Sequence, residues 1–277
     1  MLNYASVSVV IPCYCCTLTL ARAVNSVYSQ LILPREVILV DDASPDSGKT
    51  RSLIEDLVLS FSRYQIAICP IFLSFNQGPG GARNAGWEVA TQQFIAFLDS
   101  DDTWHPSKLL FQYKFMITNP DCTASCHNTY FFSGNTTAPQ LFSSSCNYQK
   151  ISLEFLLFKN LISTRSVMIK RKIKHRFPCH MHYAEDFFLW LKVLADNDII
   201  IKFNLPLAIA YKPDSGSDGL SGNLVNMHKG VVFCLKDLLH RKTIDRPLFY
   251  ASLSFEYLKF ILRVLRKYLK APLRELP

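Results

Sequence analysis

Two acidic clusters in the first half of the chain have the types and spacing for metal or phosphate chemistry. Asp41-Asp42 follows the apolar run Val37–Val40, and Asp99-Ser100-Asp101-Asp102 follows Phe94–Leu98. In open parallel sheets, ligands bind outside the carboxyl ends of the strands. Both clusters fall there if these runs are strands. On an extended chain residues i and i+2 share a face, so Asp99 and Asp101 can point the same way. Two converging carboxylates repel unless a cation lies between them. A hard, oxygen-seeking ion such as Mg2+ or Mn2+ suits the pair and keeps positions open for substrate phosphates. The same acids also suit turns and the N-cap of a helix over Pro106–Ile117, and one cluster alone favours that structural role.

Glu185-Asp186 opens a third acidic position, at the start of an apolar-periodic segment. Acids there are favoured by the helix dipole. A carboxylate near an acceptor hydroxyl can equally take its proton as a general base. Spacing does not choose between the two. The turn Asn76-Gln77-Gly78-Pro79-Gly80-Gly81-Ala82-Arg83-Asn84 is the fourth feature. Its glycines allow close backbone approach, the helix start behind it favours anions, and Arg83 can add a phosphate contact. Its structural alternative is a tight loop with a solvated Arg. A rival motif, Ala43-Ser44-Pro45-Asp46-Ser47-Gly48-Lys49-Thr50, ends like a P-loop. It lacks the first glycine of the strict pattern, and Asp41, Asp42 and Asp46 would crowd a phosphate with negative charge.

The elements that must position these residues alternate strand and helix. Val7–Ile11, Val37–Val40, Ile66–Leu73 (interrupted by Pro70) and Phe94–Leu98 read as buried strands. Thr17–Leu31, Lys49–Phe61 and Ala82–Ala90 carry helical spacing between them. This order predicts a doubly wound, mostly parallel α/β sheet. The second half is less regular. The residues around Ser143–Ser145 and Asp214–Asn223 read as loops, Glu185–Leu194 as a helix, and Ile199–Ile201 and Leu207–Tyr211 as two strands. Beyond them the pattern is helical to about Lys270.

The chain has 277 residues, 49% of them hydrophobic, ample for a packed core. Its net charge of +8 is uneven, since from His228 onward eleven Lys or Arg stand against four Asp or Glu. A basic tail points to an anionic partner surface. Leu258, Ile261, Leu262, Leu265 and Leu269 form one helical stripe, flanked by Lys259, Arg263, Arg266, Lys267 and Lys270. That pattern fits a helix lying on an anionic bilayer, or one packed on the main domain with its basic face in water. No signal peptide and no run of ~18 apolar residues is visible, so a cytoplasmic location is expected. The nine cysteines show no framework or zinc spacing and read as reduced thiols. Asn135-Thr136-Thr137 fits a glycosylation acceptor, a motif without meaning in the cytosol.

Taken in order, these motifs resemble the family 2 glycosyltransferases, inverting enzymes of the GT-A fold and of the bacterial polysaccharide and lipopolysaccharide type. Val7-Ser8-Val9-Val10-Ile11-Pro12-Cys13-Tyr14 resembles their first strand, and Ala23 to Gln30 their first helix. Val40-Asp41-Asp42-Ala43-Ser44-Pro45-Asp46 is similar to their second strand end. Asn76 to Asn84 resembles their Ala-Arg-Asn turn, and Phe97-Leu98-Asp99-Ser100-Asp101-Asp102 their metal motif. Tyr183-Ala184-Glu185-Asp186-Phe187-Phe188-Leu189-Trp190 resembles their Glu-Asp helix. The likeness covers about Val7 to Ser221. It implies that Pro12, Tyr14 and Asp42 surround the nucleotide and that Arg83 lies near the donor. Asp99 and Asp101 would form the Asp-x-Asp pair, with Asp101 the direct ligand of Mn2+ or Mg2+ and Asp186 the base. Cys15 stands where the family usually has Asn, and Tyr211-Lys212-Pro213-Asp214 keeps part of a Tyr-Arg-x-His segment.

The expected organisation is a GT-A catalytic domain over 1–223, with a nucleotide-sugar and metal half at 1–121 and an acceptor and base half at 122–223. A basic amphipathic helical tail follows over 224–277. The expected activity moves a sugar from a nucleoside diphosphate donor, a UDP-sugar first, to a hydroxyl of a growing glycan or lipid-linked saccharide. The tail would place the protein at the inner face of the cell membrane. The rivals are a P-loop-like nucleotide-binding protein and a non-enzymatic basic module. No nucleic-acid motif supports a nucleic-acid partner.

Overall fold

A computed structural model of the chain describes residues 4–62, 66–132, 147–212 and 222–270, with side chains to 267. The expected loop at Ser143–Ser145, Asn135, Pro213-Asp214, most of the Asp214–Asn223 loop, and the side chains of Leu269 and Lys270 lie outside these residues. The elements run β1 (Tyr4–Cys13), α1 (Leu20–Tyr28), β2 (Leu33–Asp41), α2 (Lys49–Phe61), β3 (Ala67–Phe72), α3 (Gly78–Val89) and β4 (Phe94–Phe97). After them come β5 (Thr103–Trp104), α4 (Lys108–Thr118), β6 (Cys122–Phe131), β7 (Tyr148–Lys150), α5 (Leu153–Phe158), a 3-10 turn at Thr164–Ser166 and β8 (Met168–Lys170). The chain continues through α6 (Glu185–Ala195), β9 (Ile199–Ala210), α7 (Leu224–His240) and α8 (Arg246–Lys270).

The strands form one sheet in the order β3-β2-β1-β4-β8-β6-β9-β5, with β7 also paired to β9. β1 pairs in parallel with β2 and β4, and β2 with β3. β8 runs antiparallel to both β4 and β6, and β6 runs parallel to β9. The expected mostly parallel α/β sheet is present, with antiparallel insertions in its second half. Val7, Val9, Val10 and Ile11 are fully buried, as parallel strands covered on both faces require. Pro70 sits inside β3, opposite Leu39. β3 ends the pairing path, and an edge strand tolerates a missing donor.

Two expectations change. α3 begins at Gly78, not Ala82, so the glycine-rich turn is itself the first turn of the helix, with Pro79 near its start. Ile199–Ile201 and Leu207–Tyr211 are not two strands, because β9 runs unbroken over Ile199–Ala210 and takes up its mismatch as register shifts against β6 near His127–Thr129. The expected helical tail is built from two helices, α7 and α8. Cys234, Leu235 and Leu238 of α7 and Phe249 of α8 belong to the main core.

Under the mouth of the sheet lies an aromatic cluster. Phe177 contacts Phe97 at 5.3 Å, Trp190 at 6.0 Å and Trp87 at 6.3 Å between ring centroids, all edge-on. Such pairs contribute about 0.5–1.5 kcal/mol each beyond the area they bury. They stiffen the junction of α3, β4 and α6, where the acidic motifs converge.

Candidate active site

The carboxyl ends of β1, β2 and β4 open on the same edge, and the strand-end motifs meet there. Tyr14 follows β1 and is 51% exposed. The Asp42 amide donates to Cys13 O at 2.8 Å, tying the ends of β1 and β2. Asp42 Oδ1 accepts the Gln77 amide at 2.7 Å, and Asn76 Nδ2 donates to the Asp42 carbonyl at 3.1 Å. Burial pushes the Asp42 carboxyl up, against the amides of Gln77 and Gly78 that favour its charge. Pro12 pairs with Val40 across the ends of β1 and β2, so Pro12, Tyr14 and Asp42 lie on the same rim.

Arg83 does something the sequence did not show. It is buried on α3, over the Phe177 ring, and its guanidinium joins two distant acids. Nη2 donates to Asp99 Oδ1 at 2.7 Å and Nη1 to Glu185 Oε1 at 3.2 Å. Arg165, from the 3-10 turn, lies 3.7 Å from Asp99 Oδ2 and 3.0 Å from Asp102 Oδ2. Burial alone would raise the Asp99 carboxyl, but Arg83 and Arg165 hold it below the usual carboxylate range. None of these acids caps α4, whose N-cap Ser107 makes no side-chain cap bond.

Asp101 differs from Asp99. Its side chain is 33% exposed, and among the described residues Oδ2 pairs with the Lys212 ammonium alone, at 3.1 Å. Its carbonyl accepts Arg22 Nη2 at 2.8 Å, and the Arg22 guanidinium carbon sits over the Tyr211 ring, 3.6 Å from its centroid. Among the described residues no three His, Cys, Asp or Glu side chains are grouped to hold a metal. As for fit, Asp99 has both oxygens against guanidinium groups, whereas Asp101 offers an oxygen opposed only by a lysine that is itself 64% exposed. A carboxylate oxygen so placed would be open to a hard cation such as Mn2+ or Mg2+.

The third acidic motif faces the same mouth. Ala184, at φ 58, turns the chain into α6. Gly80 lets α3 come close to it, since a Cβ there would lie 3.0 Å from Glu185 Cγ. Asp186 Oδ1 accepts the Phe187 amide at 2.6 Å, and Oδ2 accepts the Thr164 hydroxyl at 3.3 Å. Burial raises the Asp186 carboxyl. Glu185, buried beside Asp186, is pushed up to about 7. One of this pair therefore titrates near neutrality, a property that marks candidate acid–base sites.

Thr164 and Arg165 were not singled out from the sequence, and Lys212 was noted only within the Tyr211–Asp214 segment. A lone Arg among Ser and Thr carries no periodic or motif signal. The P-loop-like segment has a structural use, with Asp46 Oδ2 accepting the Thr50 amide at 3.0 Å and hydroxyl at 2.6 Å at the start of α2.

The sequence model described as glycosyl transferase family 2 matches residues 8–190. The chain is 31% identical over 193 residues to an Escherichia coli protein named UDP-Glc:alpha-D-GlcNAc-diphosphoundecaprenol beta-1,3-glucosyltransferase WfgD, covering 70% of this chain and 71% of that one. Among solved structures it resembles Staphylococcus aureus TarS 1-349 in complex with UDP-GlcNAc, with a TM-score of 0.68 at 20% identity over 97% of this chain and 77% of that one. It also resembles the mannosyltransferase PcManGT of Pyrobaculum calidifontis in complex with GDP-Man and Mn2+, with a TM-score of 0.67 at 16% identity over 98% and 77% of the two chains.

Proposed function

The chain belongs to glycosyl transferase family 2 and is a glycosyltransferase, and from that membership we propose that it moves a sugar from a UDP-sugar to a hydroxyl of a lipid-linked saccharide, with inversion, during surface-glycan assembly. The observation that carries the reading is the placement of Asp42 and Asp99 at the carboxyl ends of the parallel strands on either side of β1, with Arg83 joining Asp99 to Glu185, the neighbour of Asp186. The donor and acceptor in the name of the Escherichia coli relative and the UDP-GlcNAc bound to TarS support the choice of substrates.

In this reading Pro12, Tyr14 and Asp42 hold the nucleotide, with Asp42 accepting a base N–H. Arg83 acts beside the donor by fixing Asp99 and Glu185 rather than by touching phosphate. Asp186 takes the proton of the acceptor hydroxyl as that oxygen bonds to the anomeric carbon and the bond to the diphosphate breaks. One displacement from the face opposite the leaving group inverts that carbon. The Thr164 hydroxyl and the Phe187 amide aim the carboxylate. Asp101 would hold Mn2+ or Mg2+, which when bound neutralises charge growing on the leaving diphosphate. Among the described residues no helix is long and apolar enough to cross a membrane. The exposed stripe of α8, with Ile261 at 52% and Leu265 at 51% beside Arg263, Arg266 and Lys267, supports a peripheral seat on the anionic inner face of the cell membrane.

The test is transfer from radiolabelled UDP-glucose to a polyprenyl diphosphate-linked GlcNAc. Asp186→Asn should keep the fold and UDP binding and lose ~10²–10⁴-fold in transfer. Near wild-type transfer by the folded variant would remove Asp186 from this role.

A further inference from the structure

α7 and α8 cross beside the site and leave a shallow open groove of about 250 Å3, lined by His228, Lys229, Val232, Phe233, Lys236 and Tyr257. Spacings of one, four, five and eight put the five α7 residues on one face of that helix. Two of them are lysines with no acidic partner among the described residues. The acid beneath the groove is already committed. Glu256 is 2% exposed, and its carboxylate meets His228 Nδ1 at 3.2 Å and Lys259 Nζ at 2.7 Å. The His228 ring stacks on Phe260 at 4.5 Å and meets Tyr257 edge-on at 4.7 Å, which fixes it in place. The groove therefore presents cationic groups between two half-exposed aromatic walls, Phe233 and Tyr257.

Tyr257 belongs to two surfaces. It walls the groove, and it lies on the exposed stripe of α8 with Tyr250, Leu258, Ile261 and Leu265, each about half exposed. Cationic groups at one end and an apolar track leading away from it match an amphiphile with an anionic head. The groove is also joined to the site. Gly230 of α7 packs so close that a Cβ there would lie 2.6 Å from the Tyr183 carbonyl, just before Glu185-Asp186. Phe233 meets the His180 ring at 5.7 Å and Phe188 at 5.8 Å. A Cβ on Gly78 would lie 2.8 Å from His182 Nδ1, so the 178–184 segment touches both the donor-side turn and α7.

We propose that the α7–α8 groove seats the diphosphate of the lipid-linked acceptor, with Lys229, Lys236 and His228 on the phosphates and the hydrocarbon chain along the Tyr257–Leu265 stripe. This rests on the glycosyltransferase reading and adds the place where the acceptor's lipid head is gripped.

The experiment is co-sedimentation of the full chain with phosphatidylcholine vesicles carrying a few mole per cent polyprenyl diphosphate, with phosphatidylglycerol of equal charge, or with neither. It compares wild type with Lys229→Gln/Lys236→Gln, and thermal melts confirm that the variant is folded. Wild type should favour the polyprenyl diphosphate vesicles, and the double variant should lose about thirtyfold there. On phosphatidylglycerol, where the basic flank of α8 acts, the variant should lose much less. Equal loss on both vesicles would assign the groove to bulk headgroups and overturn the proposal. So would wild-type binding by the double variant, or full competition by inorganic diphosphate at the affinity of the lipid. Selective vesicle binding without any sugar transfer would leave the groove standing and sink the proposed reaction instead.

Discussion

Replacing Glu185 by Gln should change the pH dependence of stability in a predictable direction. Glu185 is buried beside Asp186, and its carboxyl is pushed from 4.5 up to about 7 in the fold, by burial first and then by Asp186. The folded state thus holds this proton more tightly than the unfolded chain does. Stability then falls as pH rises, because the native state must give up a proton that the unfolded state has already lost. The penalty is absent below the unfolded value and complete above about 7. A shift of about 2.5 units corresponds to on the order of 3 kcal/mol when complete, of which ~2–3 kcal/mol develops between pH 5 and pH 8. The Gln amide keeps an oxygen for Arg83 Nη1 and has no proton to lose. Urea unfolding of both proteins at pH 5, 6, 7 and 8 should show the variant gaining on the wild type by about that amount. A difference between the two that stays constant to within ~0.5 kcal/mol over this range would refute the linkage argument.

The two carboxylates of the Asp-x-Asp pair should separate cleanly. Asp101→Asn should melt like wild type and lose its stimulation by Mn2+ or Mg2+, and full wild-type activity in excess chelator would end the metal role. Asp99→Asn should lower stability by ~1–3 kcal/mol in denaturant unfolding, because Arg83 and Arg165 lose their charged partner. Arg83→Met should cost more, about 3–5 kcal/mol, since it leaves Asp99 and Glu185 buried without their shared cation. A loss below 1 kcal/mol on the same assay would mean that the knot is not structural. Ile261→Ser with Leu265→Ser should weaken sedimentation with phosphatidylglycerol vesicles about tenfold at low salt while leaving the melt unchanged. Failure of the wild-type chain to sediment at low salt would return α8 to a purely structural part.

The strand ends, the acidic motifs on them and the glycine-rich turn were legible in the sequence because each is a local pattern. An apolar run that stops on Asp41 or Asp99 needs no distant residue to be recognised, and α2 begins and ends where its periodicity does. The same holds for Glu185-Asp186 at the head of α6. Elements built on long-range pairing were not legible. β8 has three residues and exists because β4 and β6 flank it. β6 carries Ser, His, Asn and Thr, so no apolar run announces it. β9 spans Asn204 and Pro206 because its neighbours absorb the irregularity. The functions of the acids divide along the same line. Sequence spacing made Asp99 and Asp101 look like equal partners for a cation. Tertiary structure set Asp99 between Arg83, on another helix, and Arg165, 66 positions on, and left Asp101 facing an exposed lysine. A residue's type and neighbours fix what chemistry it can do, but which charge ends up opposite it depends on the packing of segments far apart in the chain. The tail shows the same physics. Its composition declared it basic and amphipathic, and only the packing of Cys234, Leu235 and Leu238 into the main core decided which part is buried and which surface stays open.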